Sequence, residues 1–132
     1  MDEQIGYANT DDIDEFVQTL ERFEKGEIGS DEFRAYRLAR GIYGQRQMDV
    51  QMVRVKIPLG IIDGAQLRAL ADVAEKWSRG FGHVTTRQNV QLHFLKMADA
   101  EPAMQRLAAV GLTTREACGN TVRNVTACPH AG

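Results

Sequence analysis

The residues from 83 to 94 constrain the fold of this chain most, because their polar and apolar side chains alternate. Successive side chains of a β-strand point to opposite faces, so the segment is predicted to be one strand with two unlike faces. One face carries Thr86, Gln88 and four apolar residues, Val84, Val90, Leu92 and Phe94. The other face is an unbroken polar row of His83, Thr85, Arg87, Asn89, Gln91 and His93. Such a row suits a large, flat, anionic ligand better than it suits bulk water.

The two histidines of this predicted strand are too far apart to share a metal ion. Ten residues at the rise of an extended strand separate His83 from His93 by about 33 Å. We therefore interpret both imidazoles as hydrogen-bonding groups and predict no metal ligand among them.

The rest of the chain is predicted to form further helices and strands. Two helices come first, one with N-cap candidates at residues 9–11 that ends near residue 25, and one from 30 to 41. From residue 51 the predicted pattern is strand, helix, strand, helix, strand. Right-handed crossovers would make the first two strands parallel, in an α+β sheet that helices cover on one face. The remaining strands are predicted at 52–58 and 120–127. A helix follows a capping box formed by Asp63 and Gln66, and its core positions are Leu67, Leu70, Val73, Ala74 and Trp77. A last helix is predicted at 99–110, with Pro102 in its first turn.

The composition indicates one ordinary domain of 132 residues, 43% hydrophobic and 26% charged. A net charge of -2 argues against a general nucleic-acid binder, which would be basic. No apolar run approaches the roughly 18 residues that span a bilayer, and the acidic N-terminus lacks a hydrophobic signal core. A cytoplasmic location is therefore expected. Cys118 and Cys128 have neither a disulfide pattern nor a zinc spacing.

Basic side chains recur on all three predicted strands of the sheet. Arg54 and Lys56 lie on the first strand, Arg87 on the second and Arg123 on the third. Arginine keeps its charge at any relevant pH and presents a rigid fork that matches oxyanions. The predicted strands contain no Asp or Glu to neutralise these cations. An external anion is the simplest partner, although a solvated basic face is the alternative.

Several ordered motifs make the chain similar to a known family. They lie at residues 43–46 (Tyr-Gly-Gln-Arg), 52–58, 85–93, 119–125 and 128–132. Together they resemble the sulfite and nitrite reductase haemoproteins, which use sirohaem coupled to a 4Fe-4S cluster. The resemblance covers residues 41–132 and implies a ferredoxin-like half-domain (strand-helix-strand-helix-strand), preceded by two short N-terminal helices.

The resemblance implies a substrate role for two arginines of the predicted polar face. Arg54 and Arg123 match the arginines that the family uses to bind the anionic substrate above the sirohaem iron. The implied reaction is the six-electron reduction of sulfite to sulfide or of nitrite to ammonia. Cationic side chains would stabilise the bound oxyanion there, while the cofactors carry the electron chemistry.

The resemblance also implies residues that hold the sirohaem itself. Arg87, Gln91 and His93 match residues that bind its carboxylates. His83, where some members carry another carboxylate-binding arginine, and Asn89 on the same face are further candidates.

The resemblance covers only part of the family's length. Cluster cysteines spaced C-x5-C and C-x3-C are absent from the sequence, so the 4Fe-4S ligands are expected in a missing C-terminal part. Residues 1–44 are predicted to be a helical extension and 45–132 the half-domain, truncated at the start of the catalytic domain. The 132 residues alone are expected to be inactive as a reductase.

The implied partners are sulfite or nitrite, an electron donor such as ferredoxin or a flavoprotein, and a second half-domain of the same enzyme. Neither nucleic acid nor a membrane is expected. Two alternatives stay open: a stand-alone module that binds a tetrapyrrole or an oxyanion, and a fragment of an enzyme similar to precorrin-3B synthase.

Overall fold

The computed structural model describes residue 6 and residues 8–45, 49–117 and 124–130. Within these ranges the chain alternates helices with the strands of one sheet. The helices are α1 (Thr10–Glu24), α2 (Ser30–Ala39), α3 (Gly64–Trp77) and α4 (Met97–Ala108), and the strands are β1 (Ile42–Gly44), β2 (Gln51–Val55), β3 (His83–Val84) and β4 (Val90–Leu95). A 3-10 turn at Pro58–Gly60 follows β2. The predicted α+β class is confirmed.

The N-terminal helices begin where the sequence predicts. Asn9 is the N-cap of α1, and its Oδ1 accepts a hydrogen bond from the Asp11 N–H at 2.9 Å. This bond satisfies one of the N–H groups that a helix start leaves unpaired. Phe23 of α1 stacks on Phe33 of α2 with ring centroids 4.4 Å apart, which fixes the two helices against each other.

The sheet has the strand order β1-β2-β4-β3, and every neighbouring pair is antiparallel. The predicted parallel pairing is therefore wrong. Helix α3 does return the chain so that β3 runs in the same direction as β2. The next strand, β4, then folds back and inserts between them. Strand β1, which the sequence pattern did not reveal, pairs with β2 on the far side.

The segment 83–94 is a hairpin and not the single strand that its alternation predicts. The chain reverses between β3 and β4, where the Gln88 N–H donates to the Thr85 carbonyl at 3.1 Å. The Thr85 hydroxyl accepts from the Arg87 N–H at 3.2 Å, a local bond by which threonine stabilises turns. His83 and His93 consequently stack with ring centroids 5.9 Å apart, so the predicted separation of about 33 Å is wrong.

Helices α3 and α4 cover one face of the sheet. The capping box of α3 is present: Asp63 accepts from the Gln66 N–H at 2.8 Å, and the Gln66 side chain accepts from the Asp63 N–H at 3.0 Å. Two expectations fail here. Leu67 is 61% exposed and does not belong to the core. Pro102 lies in the second turn of α4, because this helix begins at Met97.

The core lies between the helices and the apolar face of the sheet. It joins residues from α1, the sheet and both later helices, including Phe16, Val53, Leu92 and Leu107, each at most 1% exposed. The predicted strand at 120–127 lies partly outside the described residues, and its described part, 124–127, is not a strand. No helix in the described ranges has the length and apolar character needed to cross a membrane.

Candidate anion-binding face of the sheet

Four polar side chains lie together on the sheet face that the helices leave open. Arg54 of β2 is opposite Gln91 of β4, and Gln91 is opposite His83 of β3. Residues directly opposite in antiparallel strands share a face, so the three form a row across the sheet. His93 lies beside them, with its ring stacked on His83. We call Arg54, His83, Gln91 and His93 the polar sheet face.

Neighbouring backbone and side-chain groups hold the guanidinium of Arg54. With its amide oxygen toward Arg54, Gln91 accepts from Nη2 at 2.5 Å and from Nε at 3.1 Å. Nη1 donates to the Ala117 carbonyl at 3.3 Å. A guanidinium has five N–H donors, and these bonds use three of them. Two donors therefore make no hydrogen bond to a described residue and can bind an anion.

His93 makes one hydrogen bond through its ring and another through its backbone carbonyl. Its Nδ1 lies 3.0 Å from Nε2 of Gln45, and its carbonyl accepts from the Ser78 hydroxyl at 2.5 Å. Burial lowers the pKa of His93 below the ordinary histidine value, and the adjacent His83 lowers it further. A neutral imidazole is therefore favoured at this position near neutral pH.

Arg87 lies in the turn between β3 and β4, beyond the end of the polar sheet face. The residue is exposed to solvent, and its Nη2 donates to the carbonyl of Asn124 at 3.0 Å. The Asn124 side chain donates back to the carbonyls of Arg87 at 2.9 Å and Gln88 at 3.4 Å. Arg87 thus joins the hairpin turn to the segment 124–127 as well as presenting a cation.

Two other candidates, Asn89 and Lys56, do not lie on the polar sheet face as a single long strand would predict. Asn89 is 3% exposed, and its Oδ1 accepts from the Thr85 hydroxyl inside the turn. Lys56 lies just after β2, 3.8 Å from a carboxylate oxygen of Glu116. Both side chains therefore already have polar partners within the chain.

Arg123 and Cys118 lie outside the described residues, so the predicted substrate role of Arg123 stays a prediction. Cys128 is a free, exposed thiol. Among the residues that the structure describes, no group of three His, Cys, Asp or Glu side chains could hold a metal ion.

Two functional candidates have no signal in the alternation pattern. Gln45 contacts His93, 48 positions later. Asn124 is 1% exposed and bonds to the hairpin turn 36–37 positions earlier. Only their places in the motifs 43–46 and 119–125 could have drawn attention to them.

Replacing Asn124 with alanine is expected to lower the free energy of unfolding by about 1–3 kcal/mol, because the buried Asn124 amide is the donor to the turn carbonyls of Arg87 and Gln88. Urea denaturation followed by circular dichroism would measure the change. Thr126→Ala, at an exposed neighbour in the same segment, is the matched control and should change little. Equal stabilities of the two variants would contradict the anchoring role of Asn124.

Comparison with known proteins agrees with this fold. A family model for the nitrite/sulfite reductase ferredoxin-like half domain matches residues 43–110. The solved structure of the Mycobacterium tuberculosis NirA protein superimposes with a TM-score of 0.73 at 30% identity, over 80% of this chain and 22% of that one. The fold is thus that of a ferredoxin-like half-domain. The chain belongs to the nitrite/sulfite reductase ferredoxin-like half-domain family.

Similar sequences are named as reductases of both anions. An assimilatory ferredoxin-dependent nitrite reductase of Haloferax mediterranei is 38% identical over 104 residues, 70% of this chain and 18% of that protein. A ferredoxin-nitrite reductase of Synechococcus elongatus is 42% identical over 82 residues, 61% of this chain and 16% of that protein. A ferredoxin sulfite reductase of Mycobacterium tuberculosis is 37% identical over 81 residues, which are 61% of this chain and 15% of that protein. The chain spans less than a fifth of the length of these relatives.

Proposed function

We propose that this chain supplies one wall of the substrate and sirohaem pocket of a nitrite or sulfite reductase. The observation that carries the proposal is the row of Arg54, Gln91 and His83 across three neighbouring strands. Membership of the half-domain family supports it, as do the reductase names of the similar proteins.

The donor set of this wall fits a tetrapyrrole with carboxylates on its rim. Adjacent strands lie about 4.8 Å apart, so the row extends roughly 10 Å, a width suited to a flat macrocycle. Guanidinium, amide and imidazole N–H groups are the donors that carboxylates accept. None of the strands in the described ranges carries Asp or Glu, so these strands offer no competing anion.

The residues of the wall would divide between the substrate and the cofactor. Arg54, with its fork held by Gln91 and Ala117, would bind the oxyanion and stabilise its negative charge. Arg123 would be its partner there. Arg87 would hold a sirohaem carboxylate from the turn. Sirohaem, when bound, supplies the iron at which the anion is reduced and a path for electrons.

Carboxylate contacts would also come from the two histidines and from the Gln91 amide. His93 and Gln91 would donate to the sirohaem rim from β4, and His83 would do so from β3. Asn89 would act through the turn, since its own side chain is buried and bonded to Thr85.

The rest of the enzyme would complete the pocket. We propose that a second half-domain and the 4Fe-4S ligands lie in parts of the protein outside this chain, and that residues 1–44 form an extension of the half-domain at 45–132. Ferredoxin is the proposed electron donor, because the names of the similar nitrite reductases include it. The proposed location is the cytoplasm.

Titration of the chain with sirohaem, followed by its visible absorption, tests the proposal. Arg87→Ala is expected to lower the affinity roughly tenfold, because one charge-assisted hydrogen bond is lost. Arg87→Lys keeps the positive charge but not the planar guanidinium, so its sirohaem affinity should lie between those of the parent and Arg87→Ala.

The matched control is Arg68→Ala, which removes the same charge from an exposed position on α3. It should bind sirohaem as the parent does. Absence of saturable binding by the parent chain would count against the proposed function, and equal affinity of the parent and Arg87→Ala would remove Arg87 from the site.

A further inference from the structure

A β-bulge lies at the end of the polar sheet face. Leu92 is opposite Val53, and Leu95 is opposite Gln51, so His93 and Phe94 together face the single residue Met52. Two residues opposite one define a bulge, which redirects side chains and leaves a ladder group unpaired. Phe94 has a φ of 63°, in the left-handed region. A bulky residue there needs support from its surroundings.

The side-chain amide of Gln45 provides this support with both of its ends. Its Oε1 accepts a hydrogen bond from the Phe94 N–H at 2.7 Å, and its Nε2 lies 3.0 Å from Nδ1 of His93. The Gln45 backbone is itself held, since its N–H donates to the Val50 carbonyl at 3.2 Å. The half-buried amide therefore bridges the bulge and the imidazole.

These two contacts determine which way the amide faces. A backbone N–H can only donate, so the oxygen of Gln45 must face Phe94 and its NH2 group must face His93. An NH2 group can only donate, so Nδ1 of His93 must accept and carry no proton. The proton of the neutral ring then lies on Nε2.

The surroundings of the ring agree with a neutral imidazole. His83 of β3 stacks on it with ring centroids 5.9 Å apart, and His93 is half-buried. Burial of the ring and the adjacent His83 both disfavour a further proton on His93.

We infer that Gln45 is a positioning residue that holds His93 as its Nε2–H tautomer, so that this ring offers a neutral hydrogen-bond donor to the ligand of the polar sheet face. The choice of ligand, a sirohaem carboxylate, rests on the proposed function. The tautomer itself depends only on the contacts within this chain.

Nitrogen-15 NMR of histidine-labelled chain tests the tautomer without any cofactor. Above the pKa of the ring, His93 should show a protonated Nε2 and an unprotonated Nδ1, and the absence of its signals from His93→Gln would assign them. A protonated Nδ1 in the parent chain would overturn the inference.

Gln45→Glu reverses the polarity of the contact at nearly constant shape. A glutamate oxygen still accepts from the Phe94 N–H, so the bulge keeps its support. The other oxygen now accepts from His93, so the proton should move to Nδ1 and the pKa of the ring should rise by about 1 unit or more. Gln45→Ala removes both contacts and should give a mixture of tautomers, which provides a second test if the glutamate variant folds poorly.

Gln105→Glu, at an exposed position on α4, adds the same charge away from the polar sheet face. It should leave the tautomer and the pKa of His93 unchanged. Unchanged His93 signals in both Gln45→Glu and Gln45→Ala would overturn the positioning role.

Sirohaem titration of the same variants separates this inference from the proposed function. Gln45→Glu should bind roughly tenfold more weakly than the parent at a pH above the raised pKa, and should recover below it, where the imidazolium again donates from Nε2. Equal affinity at high pH would overturn the part of the inference that concerns the ligand. If the parent chain does not bind sirohaem, the proposed function fails, and the NMR result still decides the role of Gln45.

Discussion

Truncation of Phe16 to alanine is expected to lower the free energy of unfolding by about 3–5 kcal/mol, the range for a fully buried phenylalanine. Phe16 of α1 has 0% exposure and belongs to the same core cluster as Val53 and Leu107. Its ring also stacks near Tyr36, with centroids 6.5 Å apart. The N-terminal helix should therefore unfold together with the sheet, although the sequence suggests a separate extension.

Urea denaturation monitored by circular dichroism would measure this effect. Phe81→Ala is the matched control, because Phe81 is 51% exposed and should contribute much less. A loss below about 1 kcal/mol for Phe16→Ala would instead indicate that α1 is loosely attached. The boundary between residues 44 and 45 stays a prediction, and β1, which pairs with β2, lies immediately before it.

Gly41→Ala is expected to cost roughly 3 kcal/mol of stability, from a left-handed backbone and from steric overlap. Gly41 has a φ of 77°, and a Cβ at this position would lie 2.7 Å from the Arg54 carbonyl and closer still to the Thr114 carbonyl. Both neighbours are backbone atoms, so neither can move aside cheaply. The overlap should add to the conformational cost.

Gly26→Ala separates the two causes. Gly26 has nearly the same φ, 76°, but a Cβ there would meet nothing within 4 Å. This variant should lose only the conformational part, about 1 kcal/mol. Thermal and urea unfolding of both variants would measure the difference, and equal losses would show that the overlap at Gly41 is relieved by backbone movement.

The Gly41 substitution should also affect the polar sheet face. The Arg54 N–H donates to the Gly41 carbonyl at 2.8 Å, so a shift of this glycine moves the strand that carries the guanidinium. Gly41→Ala is therefore expected to weaken sirohaem binding as well as stability, whereas Gly26→Ala should leave binding intact. Gly41 therefore affects both the stability of the fold and the position of Arg54.

Features that depend on near neighbours in the chain were predictable from the sequence. Asn9 caps α1 and Asp63 begins α3 because each bond spans only two or three residues. The alternation of Val53 with Arg54 likewise assigned these residues to opposite faces of β2, since the side-chain period of a strand is local.

Features that depend on where strands meet were not predictable. Alternation from 83 to 94 is the same for one long strand and for a hairpin whose turn keeps the period, so the reversal at Thr85–Gln88 left no trace in the pattern. The sequence predicts Pro102 in the first turn and not the second, because the uncapped start of α4 at Met97 has no clear sequence signal.

The sequence by itself determined the residue types of the site, the α+β class and, through its motifs, the family. It determined these because they depend on composition, short spacing and ordered motifs. Only the tertiary structure decided that β4 inserts between β2 and β3, that His83 stacks on His93, and that Gln45 reaches His93 from 48 positions away. Strand order and long-range hydrogen bonds depend on how the whole core packs, and no local pattern specifies them.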